Sequence, residues 1–468
     1  MAKTVPRRRR ELGTAPLEGI TGREAAPFGW APLIVLFLVG LTDRIETSIT
    51  SGALPLLQAE WGFSDTMGGM ISTAPLLVGA LMAIPAGVLA DRFNRTSLIA
   101  LVVAIWSFVT LGSALAPVFA LFFLSRVLLG AADTIDNPAS SSLLADYYPP
   151  STRAKVFGWV RLTQYAGLSI GTIFGGVVGQ AFGWRWAYAC MVIPGLLVAY
   201  LCWRLREPSR GFLDQVLARA PRTPVPVPRA GRQGADSDSE RPVPIGTQLR
   251  YIWRIRTLRY VSGGLVCLSL GLQGILYWVP SLLNREFGID PAQASLLSSL
   301  VGILGVCAGA VFGGWLGGRL HSRVRGGRLL ASGLGLLVGS AMLGVALSMD
   351  TLVLFVGLLA MSNFLTSIGI PNFFASMADV VRASSRGMSF AVLNFLVIGG
   401  SLGPVIVGAI SDTFGGSLVL GMYALFPALL MAGLLVLVGR GHFDREAESV
   451  LATPQPDEPR PETDRDAR

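Results

Sequence analysis

The chain alternates between long apolar runs and short polar segments. Most of the apolar runs hold roughly twenty residues or more, enough for an α-helix to cross the hydrocarbon core of a bilayer. Lipid offers no hydrogen bonds to the backbone, so runs of this kind form helices. The pattern therefore predicts membrane-spanning helices at residues 30–56, 66–90, 97–116, 118–144, 153–181, 185–205, 256–283, 293–317, 327–348, 351–378, 385–411 and 417–438.

One long polar segment, residues 206–255, divides these twelve spans into six and six. It is rich in proline and charged residues, a composition that favours a disordered linker. We therefore expect a basic N-terminal arm at 1–29, a six-helix bundle at 30–205, this linker, a second six-helix bundle at 256–438, and a disordered tail at 439–468.

Arginine is concentrated in alternate connecting segments, beginning with Arg7–Arg10, and the intervening segments carry little positive charge. The positive-inside rule places the basic segments in the cytoplasm, and with them both termini and the linker. An even number of spans also requires both termini on one side. The sequence thus predicts a multi-pass protein of the cytoplasmic membrane.

The two halves resemble each other in sequence. Four residues of the first half recur in the second at one constant offset: Pro138 as Pro371, Asp146 as Asp379, Arg153 as Arg386 and Gly167 as Gly400. Internal repeats of this kind are typical of secondary transporters, whose substrate site lies between the halves near the membrane midplane.

Two motifs point to a family. Gly87–Arg95, which reads Gly-Val-Leu-Ala-Asp-Arg-Phe-Asn-Arg, resembles the loop 2–3 signature of the major facilitator superfamily, and Arg126–Gly130 resembles its fourth-helix motif. The resemblance implies an all-α membrane protein with twelve transmembrane helices in two pseudo-symmetric halves. Asp43-Arg44 and Tyr277–Pro280 are similar to segments of Spinster-like transporters, which move lysolipids and sphingoid phosphates, driven in some cases by protons. Anion–cation symporters of the same superfamily share an Asp-Arg pair in the first span, and this second resemblance stays open.

Charged residues at membrane depth indicate function, because each costs roughly 2.5–3.5 kcal/mol at the bilayer centre. The second half offers only amides at mid-depth, among them Asn363 and Asn394. We therefore expect a cavity with one charged wall and one largely apolar wall, which suits an amphipathic substrate. The mid-depth charges of the first half are Asp43, Arg44, Glu46, Arg126, Asp133, Asp136 and Arg161.

Any coupled proton must be carried by a carboxylate, since both histidines lie outside the spans. A carboxylate that gains and loses an arginine partner during alternating access can release and take up a proton. Our order of candidates is Asp43, then Asp133, then Glu46 or Asp136. The alternative is a static ion-pair network that only holds the helices together.

Substrate contacts are predicted for seven residues. Arg44 and Arg126 could clamp an anionic headgroup, because guanidinium matches phosphate and carboxylate; alternatively, each neutralises a nearby acid. Tyr277 and Trp278 could line the cavity or serve packing. The remaining candidates are Arg161, Asn363 and Asn394.

A gate is predicted where the second span meets the cytoplasm. The family resemblance implies that Asp91, Arg92 and Arg95 latch the inner side, with Asp91 facing a helix N-terminus. The alternative is that these charges only orient the protein.

The chain has no phosphate-binding loop and no His-Glu metal motif in a span, so we expect no enzyme activity, no cofactor and no metal site. Its net charge of +9 resides largely in connecting arginines and does not imply nucleic acid. The expected partners are a small-molecule substrate, protons and the lipid bilayer, with the protein a monomer. Three hypotheses follow: a proton-coupled transporter or exporter of an amphipathic lysolipid-like or drug-like compound, an uptake symporter for a small organic anion, or a non-transporting sensor or scaffold.

Overall fold

The computed structural model describes residues 26–210, 245–382 and 385–451, and these ranges contain helices and connecting turns but no strand. The predicted arm up to residue 25, most of the linker and residues 452–468 lie outside the described part. The helices are α1 Ala31–Trp61, α2 Asp65–Arg92, α3 Arg95–Ala114, α4 Phe119–Tyr147, α5 Pro150–Phe182, α6 Trp184–Arg204, α7 Ile245–Arg254, α8 Arg256–Phe287, α9 Pro291–His321, α10 Gly327–Ala346, α11 Leu352–Ser367, α12 Gly369–Val380, α13 Arg386–Ile398, α14 Gly403–Thr413, α15 Leu418–Tyr423 and α16 Phe426–Leu451.

Within the described residues, 10 segments are helical, long and apolar enough to cross a membrane. Helices α1 and α4 are not among them, although each has the length of a span. These are the helices that carry three of the predicted mid-depth charges each, which lower their hydropathy. With α1 and α4 added, the spans reach the predicted twelve.

The last three spans are interrupted. The tenth divides into α11 and α12, the eleventh contains a 3₁₀ turn at Gly399–Leu402, and the twelfth divides into α15 and α16. Pro404, which follows the 3₁₀ turn, has no N–H for the helical ladder. A Cβ at Gly403 would come within 2.1 Å of the Leu270 carbonyl oxygen, so the backbones are in close contact here. The Gly403-Pro404 pair therefore lies at an irregular point of the span.

Helix α16 continues to Leu451, well past residue 438, and this corrects the predicted start of the tail at 439. Phe443 is buried in the core. Glu446 accepts hydrogen bonds from the backbone N–H groups of Arg256 at 2.8 Å and Thr257 at 2.9 Å, and so caps the N-terminus of α8. An acidic residue of the predicted tail therefore supplies a helix cap.

Small residues allow close contact between α1 and α5. A Cβ at Gly171 or Gly175 would lie 2.2 Å from the carbonyl oxygen of Ile45 or Ile49, respectively. Such contacts let two spans pack backbone against backbone. They hold α1, with its charges, in a fixed position on the first bundle.

The two bundles meet along α2 with α14 and along α5 with α9, and α1 also contacts α8. A Cβ at Gly69 would lie 2.3 Å from the Pro404 carbonyl oxygen, and one at Gly408 would lie 2.2 Å from that of Asp65. Both contacts lie towards the N-terminal end of α2. The halves are therefore tightly packed at that end.

Candidate substrate cavity

A cavity of about 600 Å³ lies between the two halves. This volume is within the range of small-molecule sites. Helices α1 to α5 line most of it, and the second half contributes Gln273, Leu276, Tyr277 and Ile398 among the described residues. The described lining is thus lopsided in the way the sequence predicted, with the mid-depth charges on one wall and an apolar or amide surface opposite.

Arg44 is the centre of the charged wall. Its Nε lies 3.2 Å from Oδ2 of Asp43, and its Nη2 lies 3.6 Å from Oδ2 of Asp133. All three side chains are partly exposed, between 13% and 28%, and line the cavity. Neighbouring residues on a helix point about 100° apart, but the length of the arginine side chain allows it to reach back to Asp43. One guanidinium is therefore shared by two carboxylates from two helices.

Asp136 adds a third carboxylate to this wall, on α4 close after Asp133. The Ser140 hydroxyl donates a hydrogen bond to its Oδ1 at 2.8 Å. Among the described side chains, three carboxylates thus share this wall with the guanidinium of Arg44.

Glu46 and Arg126 form a separate ion pair at the edge of the cavity, with side chains only 3% and 4% exposed. The carboxylate also accepts hydrogen bonds from Thr110 at 3.1 Å and from the Trp106 indole at 3.3 Å. The Arg126 guanidinium donates to Ser113. Its Cζ lies 4.7 Å from the centroid of a tyrosine ring on α6. The pair is thus enclosed by protein, and Arg126 binds neither Asp43 nor Asp133.

The sequence did not single out the partners of this pair. Thr110 and Ser113 both belong to a predominantly apolar span, three residues apart and thus on one helix face. Their spacing was the only sign in the sequence that these residues bind a charged pair. Hydroxyl groups are common in membrane helices, so the spacing alone does not predict such a contact.

Tyr277 and Trp278 take different positions. Tyr277 lines the cavity, and its hydroxyl donates to the Gly68 carbonyl oxygen at 2.7 Å. Trp278 is fully buried, and its indole N–H donates to the Pro404 carbonyl oxygen at 2.9 Å. Asn363 is buried in the second half and does not line the cavity.

The predicted gate residues are only partly described. Arg95 is 1% exposed and binds Asp146 at 2.5 Å and Glu207 at 3.0 Å, all within the first half and the start of the linker. Arg92 is exposed at the end of α2. The side chains of Asp91, Arg161 and Asn394 lie outside the described part of the structure.

The cavity is closed at the end where α1 finishes and α2 begins. In addition to the Tyr277 bond to Gly68, the Ser51 hydroxyl donates to the Tyr277 carbonyl oxygen at 2.7 Å. The Thr73 hydroxyl donates to the Ser401 carbonyl oxygen at 2.6 Å. Each of these bonds joins the first half to the second.

Comparison with known proteins gives one family. The sequence model of the family described as Major Facilitator Superfamily matches residues 36–397 and 261–466 of this chain. A gallate transporter of Pseudomonas putida is 28% identical over 458 residues, which cover 93% of this chain and 97% of that protein. Protein spinster homolog 1 of Xenopus tropicalis is 24% identical over 458 residues, covering 91% and 81%.

The fold also matches a solved structure. A bacterial homologue of the human lysosomal transporter Spinster, in an inward-facing and unoccupied conformation, superposes with a TM-score of 0.72 at 22% identity. The match covers 90% of this chain and 97% of that one. It confirms the predicted arrangement of two six-helix halves.

Proposed function

The chain belongs to the Major Facilitator Superfamily, and on this premise we propose that it is a proton-coupled secondary transporter of an amphipathic, lysolipid-like or drug-like molecule. Members of this family are multi-pass membrane proteins that carry small-molecule substrates. The coupling, the substrate class and the orientation with both termini in the cytoplasm are proposals. In that orientation the closed end of the cavity faces away from the cytoplasm, as expected for the inward-facing state of an alternating-access cycle.

The observation that carries this proposal is the sharing of Arg44 between Asp43 and Asp133. Like charges at close range oppose each other's ionisation, and a site away from bulk water strengthens the effect. With Asp136 on the same wall, full ionisation of all three carboxylates beside the one guanidinium described there is unfavourable. The wall therefore holds a proton in at least part of the cycle, and Asp43 is our leading carrier.

Arg44 can also link the proton to the substrate. A phosphate or carboxylate headgroup that binds the guanidinium displaces a carboxylate from it, and the freed carboxylate then takes up a proton. Substrate binding and protonation thereby favour each other. Apolar side chains of α2, together with Leu276 and Ile398 of the second half, also line the cavity, and the hydrophobic part of an amphipathic substrate would lie against them.

Glu46 and Arg126 have a different role in this proposal. Their pair is enclosed and hydrogen-bonded on several sides, so it serves as a fixed contact between α1 and α4. Of the two roles considered for Arg126, neutralisation of a nearby acid thus fits the geometry better than a substrate clamp.

A second candidate is uptake of a small organic anion with protons. It is favoured by the similarity to a gallate transporter over nearly the whole chain. Arg44 would then bind the substrate carboxylate, and the apolar lining of the cavity would contact the aromatic ring of the substrate. The two candidates differ in the substrate accepted, but share Arg44 and Asp43.

The test reconstitutes the full chain in liposomes with an imposed pH gradient. It measures transport of a lysophospholipid, a lipophilic cation and gallate, for wild type and Asp43→Asn. We expect gradient-driven transport of at least one amphipathic compound, and its loss in Asp43→Asn, with gradient-independent exchange retained. Glu286→Gln, which neutralises an exposed carboxylate at the end of α8, is the control and should match wild type.

Two results would contradict the leading proposal. Accumulation of gallate, with neither amphipathic compound moved, would establish the second candidate instead. Equal wild-type rates with and without the gradient would remove proton coupling from both.

A further inference from the structure

We propose that a second group of residues, at the closed end of the cavity, sets the equilibrium between the two conformations of the transport cycle. The group consists of Gln58, Asp65, Arg285, Ser411 and Asp412, and we call it the outer lock. The inference rests on the proposed function in one respect, the alternating-access cycle. It is independent of the substrate and of proton coupling.

Asp65 and Arg285 join the two halves through a bidentate ion pair. The Arg285 guanidinium donates to Asp65 Oδ1 at 2.5 Å and to Oδ2 at 2.8 Å. Gln58 holds both partners: its amide nitrogen donates to Asp65 at 2.8 Å, and its oxygen accepts from Arg285 at 2.9 Å. The Ser411 hydroxyl, also from the second half, donates to Asp65 at 2.6 Å. The Asp65 side chain is only 5% exposed and that of Arg285 is 32% exposed, so the carboxylate of this ion pair is shielded from water.

Asp412 makes a second connection of a different kind. Its Oδ1 accepts a hydrogen bond from the Asp65 backbone N–H at 2.9 Å, and its Oδ2 accepts from the Thr66 N–H at 2.8 Å and hydroxyl at 2.5 Å. A carboxylate at the end of α14 therefore caps the N-terminus of α2, where the helix dipole favours negative charge. A first-half helix thus receives a cap from the second half.

The lock stabilises one conformation selectively. If the halves separate at this end, α2 loses its cap from Asp412, and Asp65 loses Arg285 and Ser411. At the opposite end, the ion pairs found in the described residues, Arg95 with Asp146 and Arg328 with Asp379, each join residues of one half. Those ion pairs are present in both conformations, so they do not offset the stabilisation that the outer lock gives to one of them. Removing a lock residue should therefore favour the state that is open at this end.

The experiment measures the distance between the halves by double electron–electron resonance, on cysteine-substituted protein in nanodiscs. Spin labels at Val118 and Asp350 report on the outer end, because both positions are exposed and lie in connections of different halves. We expect Asp412→Ala and Arg285→Met each to raise the ratio of long to short distances by about tenfold, the change that follows from losing about 1.4 kcal/mol. Asp412→Asn, which keeps one acceptor, should give an intermediate shift.

The matched control is the ion pair of Glu60 with Arg185. It lies at the same end, at 2.7 Å, with side chains 37% and 41% exposed, but both partners belong to the first half. Glu60→Gln and Arg185→Met should leave the distance distribution at its wild-type form. Size-exclusion profiles identify any variant that fails to fold, and Asp412→Asn replaces Asp412→Ala in that case.

A wild-type distribution in folded Asp412→Asn and Arg285→Met would overturn the inference, as would an equal shift in the Glu60 and Arg185 variants. The measurement needs neither substrate nor pH gradient. A failure of proton-coupled transport would therefore leave this result unaffected, and a failure of the lock would leave the transport assay unaffected.

Discussion

The enclosed pair of Glu46 and Arg126 allows the sharpest prediction about stability. Arg126→Met keeps a side chain of similar length but removes the charge that Glu46 faces. With its side chain 3% exposed, Glu46 cannot recover that loss from solvent. Removing one partner of a buried ion pair typically costs about 3–5 kcal/mol, and we expect a loss of this size in the free energy of unfolding.

A double-mutant cycle separates the pair from its surroundings. Glu46→Gln removes the facing charge. Its amide oxygen can still accept a hydrogen bond from the Trp106 indole, and its amide nitrogen can donate one to the Thr110 hydroxyl. The variant Glu46→Gln with Arg126→Met should therefore be more stable than Arg126→Met alone, with a coupling energy of about 2 kcal/mol. The double variant should remain less stable than wild type, because it also lacks the bonds that Arg126 makes to its other neighbours.

The assay is unfolding by sodium dodecyl sulfate in mixed micelles, followed by tryptophan fluorescence. Arg44→Met is the matched control, because Arg44 also faces carboxylates of α1 and α4 but is 22% exposed. Asp43 and Asp133 are partly exposed to the cavity, where a carboxylate that has lost its arginine can take up a proton. This variant should therefore lose less stability than Arg126→Met. Equal losses in Arg44→Met and Arg126→Met, or strict additivity in the cycle, would refute the assignment of the Glu46–Arg126 pair to structure.

Two further predictions concern packing and capping. Gly175→Ala should lower the free energy of unfolding by about 1–3 kcal/mol through the clash with the Ile49 carbonyl oxygen. Gly158→Ala in the same helix, where a Cβ meets nothing within 4 Å, should be neutral or slightly stabilising, and the same unfolding assay compares them. Glu446→Ala should cost about 1 kcal/mol through the lost cap of α8. The exposed neighbour Glu448→Ala is its control, and equal thermal midpoints for these two variants would exclude the capping role.

Much of the fold could be predicted from the sequence. Hydrophobic run length determines which segments span a bilayer, and a composition shift marks the division into two halves. The charges of α1 and α4 were also visible at once, since lipid-spanning runs seldom contain any. The lopsided lining of the cavity followed directly from where those charges lie.

The pairing of those charges was decided by the tertiary structure. Residue spacing places Asp133 two turns from Arg126, on the same face of α4. In the structure Arg126 binds Glu46, and Asp133 reaches Arg44 instead. Which arginine meets which acid depends on how far α1 is rotated and shifted against α4. Sequence periodicity carries no information about that relation between two helices.

The same reason applies to residues distant in the chain. Asp65 and Asp412 are 347 positions apart, and each is an unremarkable charge at the end of a span when read in sequence. Only the packing of α2 against α14 brings them together. Composition and periodicity thus determined that this chain spans a membrane and which charges it carries there, because both depend on one segment at a time. Two features depend on the relative position of two segments: the distinction between the enclosed Glu46–Arg126 pair and the shared Arg44, and the contacts that close one end of the cavity. Both appeared only in the tertiary structure.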